Sequence, residues 1–203
     1  MSKKRNLACL LVGNNKNWYS SWCTVKNDYF YLFQEDLLVY MYLRSEISML
    51  AQSSLTSVRL FRIYSYILLD FVLADNFFIN KNFFLNTLLS YNKFFSKAIS
   101  FSVYYNNELE NAFYIAVNIT KLIEKRVKFR SKTVKLFIKK IKNKVSGVYV
   151  QCNGRLNNVD MARVDKLYLG CIPLQSMNFF LSYSLIIANT AKGLQSVKVW
   201  VCK

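Results

Sequence analysis

The chain has 203 residues and a formal net charge of +17, from Lys+Arg 28 against Asp+Glu 11, so it folds against its own repulsion unless a polyanion relieves it. Hydrophobic residues make up 53% of it, which excludes a disordered basic tail and requires a packed interior. There is no histidine, and the five cysteines, Cys9, Cys23, Cys152, Cys171 and Cys202, form no C-x-x-C pair, so no metal site, disulfide framework, cofactor, small-molecule substrate or enzymatic activity is expected.

Reading along the chain, residues 1–16 form a basic lead carrying Lys3, Lys4, Arg5 and Lys16, suited to lying on a partner. The apolar stretch Leu7 to Val12 is shorter than the roughly 7 to 15 residues of a signal-peptide core, so no cleavable address is expected. A helix is predicted over Lys26 to Ala51, with Tyr29, Leu32, Phe33, Leu37, Tyr40 and Leu43 at helical spacing. Strands are predicted at Val58 to Ile63 and Tyr66 to Leu73, then a helix from Phe83 to Ala98 and a strand from Ile99 to Tyr105. That order makes one compact α+β lobe. Trp18 and Trp22 are expected to share a helical face that anchors the lead on this lobe, and the doublets Phe77-Phe78, Phe83-Phe84 and Phe94-Phe95 to fill a core or a protein interface. The run Phe61 to Ile79 is broken by Arg62, Asp70, Asp75 and Asn76, short of the roughly 20 apolar residues of a membrane span.

Tyr105-Asn106-Asn107 marks a polar break, after which Glu108 to Lys144 reads as one or two amphipathic helices with Phe113, Ile115, Ala116, Ile119, Leu122 and Ile123 on one face. Four strands follow, at Val148 to Cys152, around Met161 to Leu169, at Phe179 to Ala188 and at Val197 to Cys202. Four strands on two helices make a second α+β lobe.

The strongest chemical signal lies in the second lobe. From Glu124 the chain runs Lys-Arg-Val-Lys-Phe-Arg-Ser-Lys-Thr-Val-Lys and continues through Lys139, Lys140, Lys142 and Lys144, and no acid follows until Asp160. On one helix, Lys128, Lys132, Lys135 and Lys139 would form a ridge that follows a phosphate backbone. A merely solvated face would intersperse acids for pairing. Further on, Asn153-Gly-Arg-Leu-Asn-Asn sets Gly154 and Asn157-Asn158 at tight turns and presents Arg155 and, beyond them, Arg163, whose guanidinium forks can grip phosphates bidentately.

Several of these residues stand in a recognisable order. Glu124-Lys-Arg-Val-Lys-Phe-Arg, Gly147-Val, Gly154-Arg-Leu, Ala162-Arg, Gly170-Cys-Ile-Pro-Leu, Ala188-Asn-Thr, Gly193 and Val197-Lys-Val-Trp closely resemble the C-terminal domain of bacterial S-three ribosomal proteins. Asn6, Gly13, Lys16, Trp18-Tyr-Ser-Ser-Trp22, Asp36 and Tyr42-Leu43 give the first half a fainter likeness. The resemblance implies a basic extension over 1–16, a type II KH domain over 17–105 and a C-terminal α+β domain over 106–203. Its four-stranded sheet would pack on two helices. It implies a structural role in the head of the small ribosomal subunit, in contact with rRNA, mRNA and neighbouring small-subunit proteins around the channel through which mRNA enters.

In that family basic residues at the start of the second C-domain helix face mRNA. Arg130 matches one such position and Lys132 and Lys135 stand close by, whereas Ser131 and Val134 replace basic residues. The rRNA contacts would fall to Lys3, Lys4, Arg5, Lys16, Arg126, Lys128, Lys139, Lys140, Lys142, Lys144, Arg155, Arg163, Lys166, Lys192 and Lys198. The family's G-x-x-G loop falls near Asn80-Lys81-Asn82 without a glycine, so the first lobe is expected to keep its fold while losing KH-style strand binding. A free RNA-binding protein outside a ribosome is the alternative. The excess of Lys, Asn, Phe, Tyr, Ile and Leu, with Pro 1 and Gly 5, follows AT-rich codons, so an organelle genome is expected, and the erosion of glycines in the first domain, which suits a fast-changing genome, puts the mitochondrion ahead of the plastid.

Overall fold

A computed structural model of the protein describes residues 13, 17–51, 55–63, 66–73, 98–105 and 111–203. The extension residues Lys3, Lys4, Arg5 and Lys16, the loop Asn80-Lys81-Asn82, the Phe doublets and the helix expected over Phe83 to Ala98 lie outside them, except that Ala98 opens a strand. The chain divides into two compact units, with Trp18–Glu108 forming one and Leu109–Lys203 lying in the other.

The first unit holds the short strand β1 (Ser20–Ser21), helix α1 (Lys26–Ala51) and strands β2 (Leu55–Ile63), β3 (Tyr66–Leu73) and β4 (Ala98–Tyr105). The sheet order is β1-β2-β3-β4, with β2 antiparallel to β3 and the outer pairs parallel. Leu60 lies opposite Leu69 in the β2–β3 ladder, and both are buried together with Val58 and Ile67.

The apolar spacing of α1 does not mark its buried side. Tyr29, Phe33 and Leu37 are exposed, while Asp36 and Val39 are buried. The helix is apolar nearly all the way round, which leaves periodicity without contrast. Polar bonds fix the inward face: the buried Arg62 of β2 donates to Asp36 and pairs with Glu35 at 2.6 Å, the Trp22 indole donates to Asp36 at 2.6 Å, and the Tyr40 hydroxyl donates to the Val58 carbonyl at 3.1 Å. Trp18 and Trp22 share no helix, because Ser20 and Ser21 between them pair with Leu60 and Phe61; Trp18 is exposed.

In the second unit, α2 (Ala112–Glu124) and α3 (Lys132–Lys142) precede β5 (Gly147–Gly154), a 3-10 turn at Leu156–Asn158, β6 (Arg163–Gly170), β7 (Leu181–Thr190) and β8 (Gly193–Cys202). The sheet is antiparallel throughout, in the order β6-β5-β8-β7. Ile115 and Ile119 of α2 and Ile138 and Ile141 of α3 pack in one core with Val148 and Val150 of β5 and Val197, Val199 and Val201 of β8. Each fully buried isoleucine contributes about 1.5–3 kcal/mol relative to an exposed one.

Alternation sends the intervening residues to the other sheet face. There Tyr168, Tyr149, Trp200 and Tyr183 stand side by side across all four strands, with centroid spacings of 6.0, 5.0 and 5.1 Å. Trp200 is buried, as expected for a structural residue.

Candidate nucleic-acid interface

The basic run does not form one helix. α2 ends at Glu124, where the Arg126 amide donates to Ile123 and the Val127 amide to Leu122, the paired bonds of a Schellman stop. The residue that turns left-handed there is Arg126, at φ 63°, where a glycine is usual. Phe129, buried, ties the turn to the core, and Ser131 restarts the chain as the N-cap of α3, its hydroxyl accepting from the Val134 amide. The serine that replaces a basic residue of the family pattern is therefore the group that begins the helix.

Consequently Lys128 precedes α3 and does not belong to its ridge. Lys132, Lys135, Lys139 and Lys140 remain on one exposed side of α3, opposite the buried Val134, Ile138 and Ile141; Lys144, just beyond the helix, is exposed too. The Lys142 side chain lies outside the described residues. Arg130 stands exposed before α3 and donates to Asp165 of β6 at 2.9 Å.

A second group gathers elsewhere. Arg126 and Lys128 from the α2–α3 turn, Arg155 after β5 and Lys192 in the β7–β8 turn line a cleft of about 570 Å³. Two residues of its lining have left-handed backbones, Arg126 and Asn157 at φ 54°, and Gly154, which precedes the lining residue Arg155, has φ 144°, where a Cβ would lie 3.0 Å from the Leu194 carbonyl oxygen. The Gln195 amide donates to the Arg155 carbonyl at 3.0 Å, joining β8 to the β5–β6 connection. Glu124 is the acid in the lining, and its carboxylate accepts from the Asn189 amide at 3.2 Å. Arg155 is steered by Asp160 at 3.2 Å and by the Val159 carbonyl.

The remaining candidates lie apart from this cleft. Arg163 is exposed opposite Gly154 at the start of β6. Lys166 and Lys198 flank Gln151 on the sheet face away from the helices. The basic residues thus occupy three places in the second unit: the cleft, the outer side of α3 and the sheet face away from the helices. Sequence reasoning did not single out Gln195 and met Glu124 and Asn189 only as parts of motifs, because their roles here depend on long-range bonds. Cys152 of β5 is buried, and its thiol is pushed up to about 12 by burial, with the charge of Asp165 adding. It is a neutral packing residue.

The left-handed Arg126 yields a test. Replacement Arg126→Gly relieves a conformation that costs a side-chain-bearing residue roughly 1–2 kcal/mol, partly offset by the freer unfolded chain. The variant should gain about 1 kcal/mol in denaturant unfolding while binding RNA more weakly. A loss of stability would show that Arg126 is held by contacts worth more than its strain.

Comparison with known proteins places this geometry. Residues 119–201 match the family described as ribosomal protein S3, C-terminal domain. The small ribosomal subunit protein uS3 of Clostridium tetani is 36% identical over 89 residues, covering 44% of this chain and 40% of the relative. That of Clostridium botulinum (strain Okra) is 37% identical over the same length. In each case the likeness spans about two fifths of the bacterial relative. The small ribosomal subunit protein uS3c of Euglena longa is 28% identical over the full length of both chains. Over its last two fifths the chain is thus similar to the C-terminal domain of uS3 proteins, and over its whole length to a uS3c protein.

Proposed function

We propose, on the premise that residues 119–201 form an S3 C-terminal domain, that the protein is a constituent of the small-subunit head in an organellar ribosome. The observation that carries this reading is the gathering of Arg126, Lys128, Arg155 and Lys192 in one cleft, beside a helix whose exposed side repeats lysine. These cations bind rRNA phosphates, and their bound counterions are released. Arg130, Lys132 and Lys135 line the channel through which mRNA enters. Asp165 orients the Arg130 guanidinium but lies too exposed a pair to remove its charge. The first unit is a KH-like lobe that lacks glycines in its loop, and its exposed Phe30, Tyr31 and Met41 suit contacts with neighbouring small-subunit proteins. Among the described residues no helix is long and apolar enough to cross a membrane.

The full-length likeness to uS3c supports an organelle, and the loss of glycines from the first lobe, which suits a fast-changing genome, inclines the reading to the mitochondrion over the plastid. The test is sedimentation of small subunits from purified organelles at moderate salt, with the polypeptide followed by mass spectrometry. It should travel with the small subunit of one organelle. Recovery at the top of the gradient, free or on other RNA, would instead favour an RNA-binding protein outside the ribosome.

A further inference from the structure

We propose that the cleft between the α2–α3 turn and the β7–β8 turn receives a single unpaired nucleotide extruded from RNA; this rests on the reading of the second unit as an rRNA binder. A patch that only neutralises phosphates can be flat, as the lysine side of α3 is. The cleft is instead concave, and its volume of about 570 Å³ lies in the range of sites that enclose small ligands.

Its chemistry is divided as a nucleotide is divided. Exposed cations, Arg126, Lys128 and Lys192, stand where a phosphate would be met, and the aliphatic and aromatic carbon of Ile123, Phe129 and Leu156 contributes to the lining. Asn157 and Asn189 add side-chain amides that each offer a donor and an acceptor, the pair of functions needed to meet a base edge. The Arg155 guanidinium, which donates to Asp160 and to the Val159 carbonyl, presents a plane on which a base can stack. A paired base has no access to such a recess, because its edges and faces are occupied within the duplex, whereas an unpaired one swings out at small cost. The acid in the lining, Glu124, is occupied by the Asn189 backbone amide.

The experiment compares the full-length protein on two RNA hairpins with the same stem, one fully paired and one carrying a single bulged nucleotide, at one ionic strength. The bulged hairpin should bind about tenfold more tightly, the equivalent of one stacked base. Ala191→Trp, which fills the cleft without altering charge, should erase that preference. Equal affinity for both hairpins, or a preference that survives Ala191→Trp, overturns the proposal. Adenosine monophosphate is the third arm: saturable binding of the free nucleotide without any preference for the bulge would assign the cleft to a soluble ligand and also overturn it. Cosedimentation with small subunits alongside equal hairpin affinities defeats this inference alone; absence from small subunits together with a bulge preference defeats the ribosomal reading alone.

Discussion

Affinity for small-subunit rRNA is expected to fall about 10⁴-fold between 50 and 200 mM monovalent salt, as it should for roughly eight phosphate contacts with a log-log slope of about −6 to −7. The second unit supplies that number on two surfaces. Arg126, Lys128, Arg155 and Lys192 stand at the cleft, and Lys132, Lys135, Lys139 and Lys140 stand on the outer side of α3. All are exposed, so each exchanges hydration and counterions for a phosphate without the penalty of burying an ion. Neutralising Lys139 and Lys140 together should make the slope shallower by about 2, uniformly across RNA sequences. Equilibrium binding titrations over a salt series measure both quantities. A slope shallower than about −2 would mean that the cations are largely bystanders.

The second large effect is on folding. Gly147→Ala should destabilise the second unit by about 3 kcal/mol or more, lowering its thermal midpoint by roughly 15 °C. A Cβ at Gly147 would lie 2.2 Å from the carbonyl oxygen of Cys171 and 2.7 Å from its carbonyl carbon, both backbone atoms that cannot rotate aside. The crowding has a structural origin. Gly147 pairs directly with Gly170 at the end of the β5–β6 ladder, and there the chain leaving β6 crosses back over Ser146, whose carbonyl accepts from the Cys171 amide at 3.3 Å. Ser146 is held in turn by its amide and hydroxyl bonds to the Cys202 carbonyl, at 3.1 and 2.8 Å. Moving the crossing therefore disturbs β5, β6 and β8 together. Differential scanning calorimetry reads the outcome; an unchanged midpoint would show that the crossing opens freely.

Much of the backbone was legible in the sequence. The limits expected for α1 and β3 are those observed, and the four strands of the second unit lie where β-branched and aromatic residues accumulate. β8 begins at Gly193, earlier than Val197, because Leu194, Gln195 and Ser196 carry no strand pattern and are recruited by pairing across the β7 turn, Thr190 opposite Gly193. Asn157 takes the left-handed turn its type suggested. The inward face of α1 was not legible, since Arg62, a charged residue within a strand, selects it from a distance through Asp36. Charge alone located the basic residues but not their grouping. Lys192 joins Arg126 across more than sixty positions of sequence, a proximity that only the folded sheet creates.

The aromatic row on the sheet face away from the helices has an optical consequence. Trp200 is the sole indole of its unit, wedged between Tyr149 and Tyr183, while Trp18 and Trp22 belong to the other unit. A chain with phenylalanine at those two positions would carry one shielded fluorophore, fed by energy transfer from neighbouring phenols. Its emission would follow the opening of the second unit apart from the remainder of the polypeptide.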